Sequence, residues 1–177
     1  MKGRYRNIIV CGDVGTGKTT LSRGLAKKLD WEFFSAGEFF RQYSRENNIP
    51  LWDKSKVPDD VEREVDSNFF NKILKEKHLI FDTHYGAWFA RNLDHVFRIL
   101  LICNKDVATQ RLLDRKHTHR ETPGEIEERR RQFHEKFKKL YGDNNYEDPK
   151  YFHLVIDTTV TGEEDSLSQA LRAFNDR

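Results

Sequence analysis

Cysteine is scarce in this chain: of 177 residues only Cys11 and Cys103 are cysteine, each closing a short apolar run. Two such residues make no disulfide framework, and both read as buried free thiols. Long hydrophobic runs are lacking as well. Nothing approaches the roughly 18–20 apolar residues needed to cross a bilayer, and the Met1–Arg6 start carries no signal-peptide cleavage pattern. A cytoplasmic setting without membrane contact is expected. Nor is there an excess of one charge: 31 Lys and Arg stand against 29 Asp and Glu, a net +2. That balance argues against a protein that wraps nucleic acid, so an anionic partner must be met by a local cluster. The mean hydropathy is low, at −0.82. Even so, 13 Phe, 6 Tyr and 3 Trp supply enough apolar volume for a real core, which excludes wholesale disorder.

Apolar runs alternate with helical patterns. Strands are expected at Asn7–Cys11, Trp31–Phe34, His78–Asp82, Val96–Cys103 and Phe152–Asp157. Helices are expected at Lys18–Leu29, Glu38–Asn47, Pro58 to about Glu76, about 105–116, 123–140, and from near Glu163. Residues 48–57 read as a loop. Strands alternating with helices imply βαβ units and a parallel sheet covered on both faces. With no repeat, low-complexity tract or dividing linker, the expectation is one α/β domain over residues 1–177.

The stretch Gly12-Asp13-Val14-Gly15-Thr16-Gly17-Lys18-Thr19 fits G-x-x-x-x-G-K-[ST], with a strand before it and an amphipathic helix after it. Glycines let backbone N–H groups turn inward as an anion nest, and the helix that follows presents its positive end to the same phosphates. Lys18 is expected to reach the β- and γ-phosphates of ATP, and the Thr19 hydroxyl to coordinate Mg²⁺. Asp82 ends a strand written His-Leu-Ile-Phe-Asp, where a phosphate-loop protein needs its second magnesium partner.

Between 111 and 139 stand Arg111, Arg115, Lys116, Arg120, Arg129, Arg130, Arg131, Lys136, Lys138 and Lys139. Glu125, Glu127, Glu128 and Glu135 can pair with several of these, as on a solvated helix face. Thr118–Gly124 interrupts the helical pattern and follows His117, with His119 inside it, so two arginine-bearing helices with a mobile tip form a candidate lid over a triphosphate. No general base stands out, which suits a reaction whose acceptor is already an oxyanion.

With these residues in view, the chain resembles the P-loop nucleoside monophosphate kinases, most of all the short archaeal and bacterial cytidylate kinases. The resemblance runs from about residue 7 to 160. It is carried by Val10–Thr20 and by Ser35-Ala36-Gly37-Glu38-Phe39-Phe40-Arg41, nearly letter for letter a family signature. Also similar are Val61-Glu62-Arg63-Glu64-Val65-Asp66, Asp82 through Trp88, Asp114-Arg115, Arg129 through Gly142, and His153 through Thr158. The resemblance implies a P-loop three-layer fold with five parallel strands, acceptor-binding helices over about 35–76 and an Arg-rich lid over about 111–139. It implies transfer of the γ-phosphoryl group of ATP to a nucleoside monophosphate, CMP or dCMP. Residues through Thr20 would hold ATP, Ser35 and Arg41 the acceptor phosphate, and Arg115 and Arg129 the transferring group. Lys136 takes the place of a second lid arginine. The family's acceptor-gripping arginine is replaced by His84, which is expected to gain charge near pH 6–7. The acid after the lid arginine becomes Arg130.

Other classes of function share some of these features. Asp82-x-His84 also resembles the small adenylate kinases implicated in ribosome maturation. In that alternative the chain is a slow ATPase switch, and its basic hairpin and Tyr85, Trp88 and Phe89 meet RNA or protein, although aromatics at this spacing also suit a core. A kinase for a non-nucleotide hydroxyl would want a carboxylate base, with Glu38 the candidate. A monomer is expected.

Overall fold

Alternation along short β-branched and aromatic segments decides the sheet. The computed structural model describes residues 5–115, 120–143 and 145–176. Its strands are β1 (Asn7–Gly12), β2 (Glu32–Ser35), β3 (Leu79–Asp82), β4 (Val96–Ile102) and β5 (Leu154–Asp157). All pairs are parallel, in the order β2-β3-β1-β4-β5. Ile8, Val10, Ile80, Phe97, Ile99 and Leu101 face one side, where helices α1 (Lys18–Leu29) and α7 (Glu163–Asn175) cover them. Ile9, Cys11, Leu79, Phe81, Val96 and Leu100 face the other, beneath α3 (Asp59–Lys75) and α4 (Gly86–Phe89). The remaining helices are α2 (Ala36–Glu46), α5 (Lys105–Leu113) and α6 (Pro123–Tyr141). No described helix is long and apolar enough to cross a membrane.

The connection from β1 runs outward to the β2 edge, and that from β3 crosses to β4 on the opposite side of β1. Loops that diverge in this way leave a crevice at the carboxyl ends of β1 and β3. Register places Ser35 opposite Asp82 and Val10 opposite the same residue, so the phosphate loop, Asp82 and the start of α2 meet there.

Several expected boundaries move for local reasons. Helix α2 starts at Ala36 rather than Glu38, because the Ser35 hydroxyl caps it by accepting from the Glu38 N–H. Helix α5 stops at Leu113 instead of reaching 116, and β5 begins at Leu154 because a 3₁₀ turn, Pro149–Tyr151, precedes it. A second 3₁₀ turn, Lys54–Lys56, interrupts the expected loop, and α4 was not expected at all. Helix α6 opens with the capping box that Thr122-Pro123-Gly124-Glu125 encodes. Both cysteines are free; Cys11 is buried, whereas Cys103 is only half-buried.

Strand β4 carries a charge into the apolar layer. Arg98 is 8% exposed and donates to the carbonyls of Ala90, Leu93, Val96 and Tyr151. Its guanidinium ties α4 and the turn after it to the sheet. Arg98→Ala strands these acceptors, so urea unfolding should show a loss of about 3 kcal/mol. A loss near zero would mean that water reaches those carbonyls.

Candidate active site

The phosphate loop adopts the backbone that its glycines permit. Gly12, Gly15 and Gly17 have φ of 145°, 79° and 92°. A Cβ at Gly12 would stand 2.4 Å from the Leu101 carbonyl oxygen, and one at Gly15 would stand 2.4 Å from that of Ala108. The loop is braced from within: Val14 N–H donates to Asp13 Oδ1 at 2.6 Å, and the Thr16 hydroxyl to the Asp13 carbonyl at 2.8 Å. Lys18 Nζ donates to that same carbonyl at 2.7 Å. Burial lowers the Lys18 pKa, with Asp82 and Asp13 opposing. Thr20 lies in the first turn of α1 and lines the cleft beside the loop.

Asp82 faces the loop from the end of β3. Its Oδ2 accepts from the Thr19 hydroxyl at 2.6 Å and from the Ser35 hydroxyl at 3.2 Å. Among the described residues no cluster of three or more His, Cys, Asp or Glu forms a self-sufficient metal cage. The Thr19–Asp82 pair is instead the sparse oxygen set that Mg²⁺ takes when phosphates and water supply the rest.

From this point a cleft with a cavity volume of about 120 Å³ runs between α2, α3, the β3 end and α6. Its cationic end is lined by Lys18, Arg41, Arg115 and Arg129. Arg129 pairs with Glu121 at 3.0 Å; burial lowers its pKa, Glu121 opposing and Arg115 reinforcing. Its Nε has no hydrogen-bond partner. The other end is lined by Phe40, Phe69, Phe70, Tyr85 and Phe89, together with Asp66. A second cleft shares Gly15, Gly17, Thr20 and Arg115 with the first and extends toward Arg111, Thr158 and Gly162. The loop and Arg115 therefore stand between two clefts.

Three expectations are corrected. Lys136 does not enter the cleft: its Nζ donates to the Lys54 carbonyl at 2.9 Å and to the Val57 carbonyl, tethering α6 to the 3₁₀ turn whose carbonyls need donors. The Ser35 hydroxyl, expected on the acceptor phosphate, is committed to Glu38 N–H and to Asp82. His84 does lie in the cleft, stacked on Phe133 with ring centroids 3.9 Å apart. Burial, reinforced by Lys18, Arg129, Lys54 and His134, holds its pKa well below 6.5, below the pH 6–7 range in which it was expected to gain charge.

The basic segment divides in a similar way. Arg131 pairs with Glu128 and Glu135 on the outer face of α6, Lys139 with Asp59, and Arg111 bonds to Thr158 in the second cleft. Lys116, His117, Thr118 and His119 lie outside the described residues. Arg130, a departure from the family pattern, ties α6 to the loop through Asp13 at 2.9 Å and to α5 through Thr109 at 3.0 Å. Glu38 pairs with Arg23 away from the cleft, and Tyr85, Trp88 and Phe89 pack against one cluster with Phe137, Tyr141 and Tyr146.

Sequence reasoning missed two groups. Lys54, 4% exposed, lies 2.7 Å from the buried Glu62 and 3.7 Å over the Phe40 ring. Asp66 accepts from the Tyr141 hydroxyl; burial pushes its carboxyl up to about 7, with that hydrogen bond opposing and Glu62 adding. The spacing of Glu62, Asp66, Phe69, Phe70 and Ile73 at threes and fours marks a single α3 face and could have revealed the latter.

Comparison with known proteins agrees with this architecture. The family described as AAA domain matches residues 8–133. The chain is similar to cytidylate kinases of Saccharolobus islandicus and Sulfolobus acidocaldarius, 31% identical to each over 156 and 162 residues. These matches cover 86% and 89% of this chain and 82% and 88% of theirs. A gluconokinase structure from Sinorhizobium meliloti superposes with a TM-score of 0.67 at 14% identity, covering 99% of this chain and 94% of that one. A deoxyadenosine kinase from M. mycoides with dCMP and dCDP bound gives 0.59 at 18%, covering 96% and 99%. At such identities the likeness is one of fold.

The commitment of Ser35 is open to test. Ser35→Ala removes a helix cap and should lower stability by about 1 kcal/mol in urea. An unchanged unfolding midpoint would return the hydroxyl to ligand binding alone.

Proposed function

This chain belongs to the P-loop nucleoside monophosphate kinases, and on that premise we propose that it transfers the γ-phosphoryl group of ATP to CMP or dCMP, giving ADP and the diphosphate. One observation carries the reading: two clefts open on either side of one phosphate loop, with Arg115 common to both. A donor nucleotide in one and an acceptor in the other bring their phosphates together at Lys18, Thr19 and Asp82. The acceptor cleft suits a nucleoside monophosphate along its length, cationic at one end and aromatic at the other.

The chemistry asks for positioning and charge neutralisation rather than a base. Backbone N–H groups of Gly15 to Thr19 and the α1 N-terminus hold the donor phosphates, while Lys18 leaves the Asp13 carbonyl for the transferring group. Arg41 grips the acceptor phosphate by its planar fork, and Arg115 and Arg129 offset repulsion as the two anions approach. Thr19 and Asp82 would hold Mg²⁺, which would supply charge neutralisation at the donor phosphates. A neutral His84 can offer the acceptor phosphate one hydrogen bond, a weaker grip than the arginine it replaces.

The switch reading has less support, since its supposed contact aromatics are packed in a core cluster. A hydroxyl kinase lacks its base, because Glu38 is turned to Arg23.

Lys18→Ala should reduce kcat on the order of a hundredfold or more, as loss of a single preorganised donor does elsewhere. Its melting temperature should not fall, since a buried and desolvated cation is removed. Near-normal turnover would end the phosphate-loop assignment. Arg41→Ala should raise the acceptor KM about tenfold or more while leaving the KM for ATP unchanged. Equal weakening of both substrates would refute the division between the clefts.

A further inference from the structure

The aromatic end of the acceptor cleft contains a carboxyl that phosphoryl transfer does not use. Asp66 projects from α3 on the same face as Phe69, Phe70 and Ile73, and all of them line the cleft. The Tyr141 hydroxyl fixes its orientation by donating to Asp66 Oδ2, while the nearby Tyr85 hydroxyl donates to Glu62 Oε2 at 3.3 Å. The Lys54 ammonium that acts on Asp66 is itself engaged by Glu62 at 2.7 Å. A carboxyl placed in this way neither closes an ion pair nor caps a helix. It presents an oriented acceptor to whatever lies among the aromatic rings.

A planar base seated between such rings meets that acceptor with its edge. We propose that Asp66 is the specificity-determining residue for the acceptor base, accepting a hydrogen bond from the exocyclic amino group of cytosine. This rests on the kinase reading above and deepens it. Uracil places a carbonyl oxygen where cytosine has the amino group, so oxygen would face oxygen and a buried acceptor would lose its donor. Sites built around one such bond reject the mismatched analogue strongly. Tyr141 is a positioning residue in this scheme: its hydroxyl holds Oδ2 and turns the carboxyl toward the ring edge.

The test is the ratio of kcat/KM for CMP to that for UMP, with ATP saturating. Asp66→Asn keeps the shape and offers an amide N–H, which can meet the uracil carbonyl. The ratio should fall at least about tenfold, with kcat/KM for UMP itself rising. The KM for ATP should not move, which checks that the variant is folded. A ratio equal to wild type, or equal losses on both acceptors, overturns the assignment. Should Asp66→Asn fail to fold, Tyr141→Phe decides: KM for CMP should rise severalfold with kcat nearly kept and UMP unaffected. An equal shift for both acceptors again overturns it. Wild-type protein that phosphorylates no monophosphate at all refutes the kinase reading first. A wild-type enzyme with no preference for CMP over UMP refutes the role of Asp66 alone.

Discussion

Much of the site's geometry hangs on one oxygen. Asp82 Oδ2 receives the Thr19 hydroxyl from the first turn of α1 and the Ser35 hydroxyl from the cap of α2. Those hydroxyls come from α1 and from the end of β2, and the carboxylate that joins them ends the strand lying between β1 and β2. Parallel pairing makes this possible, because it brings the carboxyl ends of β1, β2 and β3 to one edge in register. A shift of one residue in β3 would turn Asp82 to the other face of the sheet and separate all three. The buried faces of β3, with Ile80 on one side and Phe81 on the other, resist such a shift.

The cleft that begins at that oxygen is lined by buried cations. Lys18, Lys54 and Arg129 all have pKa values lowered first by burial, and that of His84 is lowered by burial and then by these three neighbours. Desolvated positive groups near one another are unfavourable in the folded chain alone. On the proposed reading, a phosphate in the cleft would relieve that repulsion. The same field restrains α6. Arg130 bonds to Asp13 of the loop, and Arg129 pairs with Glu121, which leads into α6. The partners that neutralise these arginines lie at the loop and at the foot of α6, where phosphate charge would compete for them.

What could be read from the chain was local. The phosphate loop and the Ser35–Arg41 stretch each state their geometry in contiguous residues, so strand, loop and helix follow without tertiary information. Lys136 shows where that ends. Its position on a lid-like helix suggested a phosphate, yet the nearest unmet acceptors are the Lys54 and Val57 carbonyls of a 3₁₀ turn distant in sequence. Ser35 could be matched to a family signature, but its engagement with Asp82 depends on the pairing of β2 with β3. For His84 the residue was legible and its charge was not. Protonation depends on burial and on four cationic or ionisable neighbours from three separate segments.

The acceptor base poses the same problem in sharper form. Phosphate recognition repeats across many proteins because every phosphate asks for the same donors, and its motif is short and strict. A base asks for one edge-specific bond inside a shaped apolar slot, and helices α2 and α3 can supply that slot with many different sequences. Here the slot is built from phenylalanines spaced at helical intervals, indistinguishable in the chain from ordinary core residues. The spacing on α3 places Asp66 on their face, but only the packed helices show it as a carboxyl oriented by Tyr141 and set among rings. Reaction class is thus written locally in this chain, whereas acceptor identity is written in the contact between two helices.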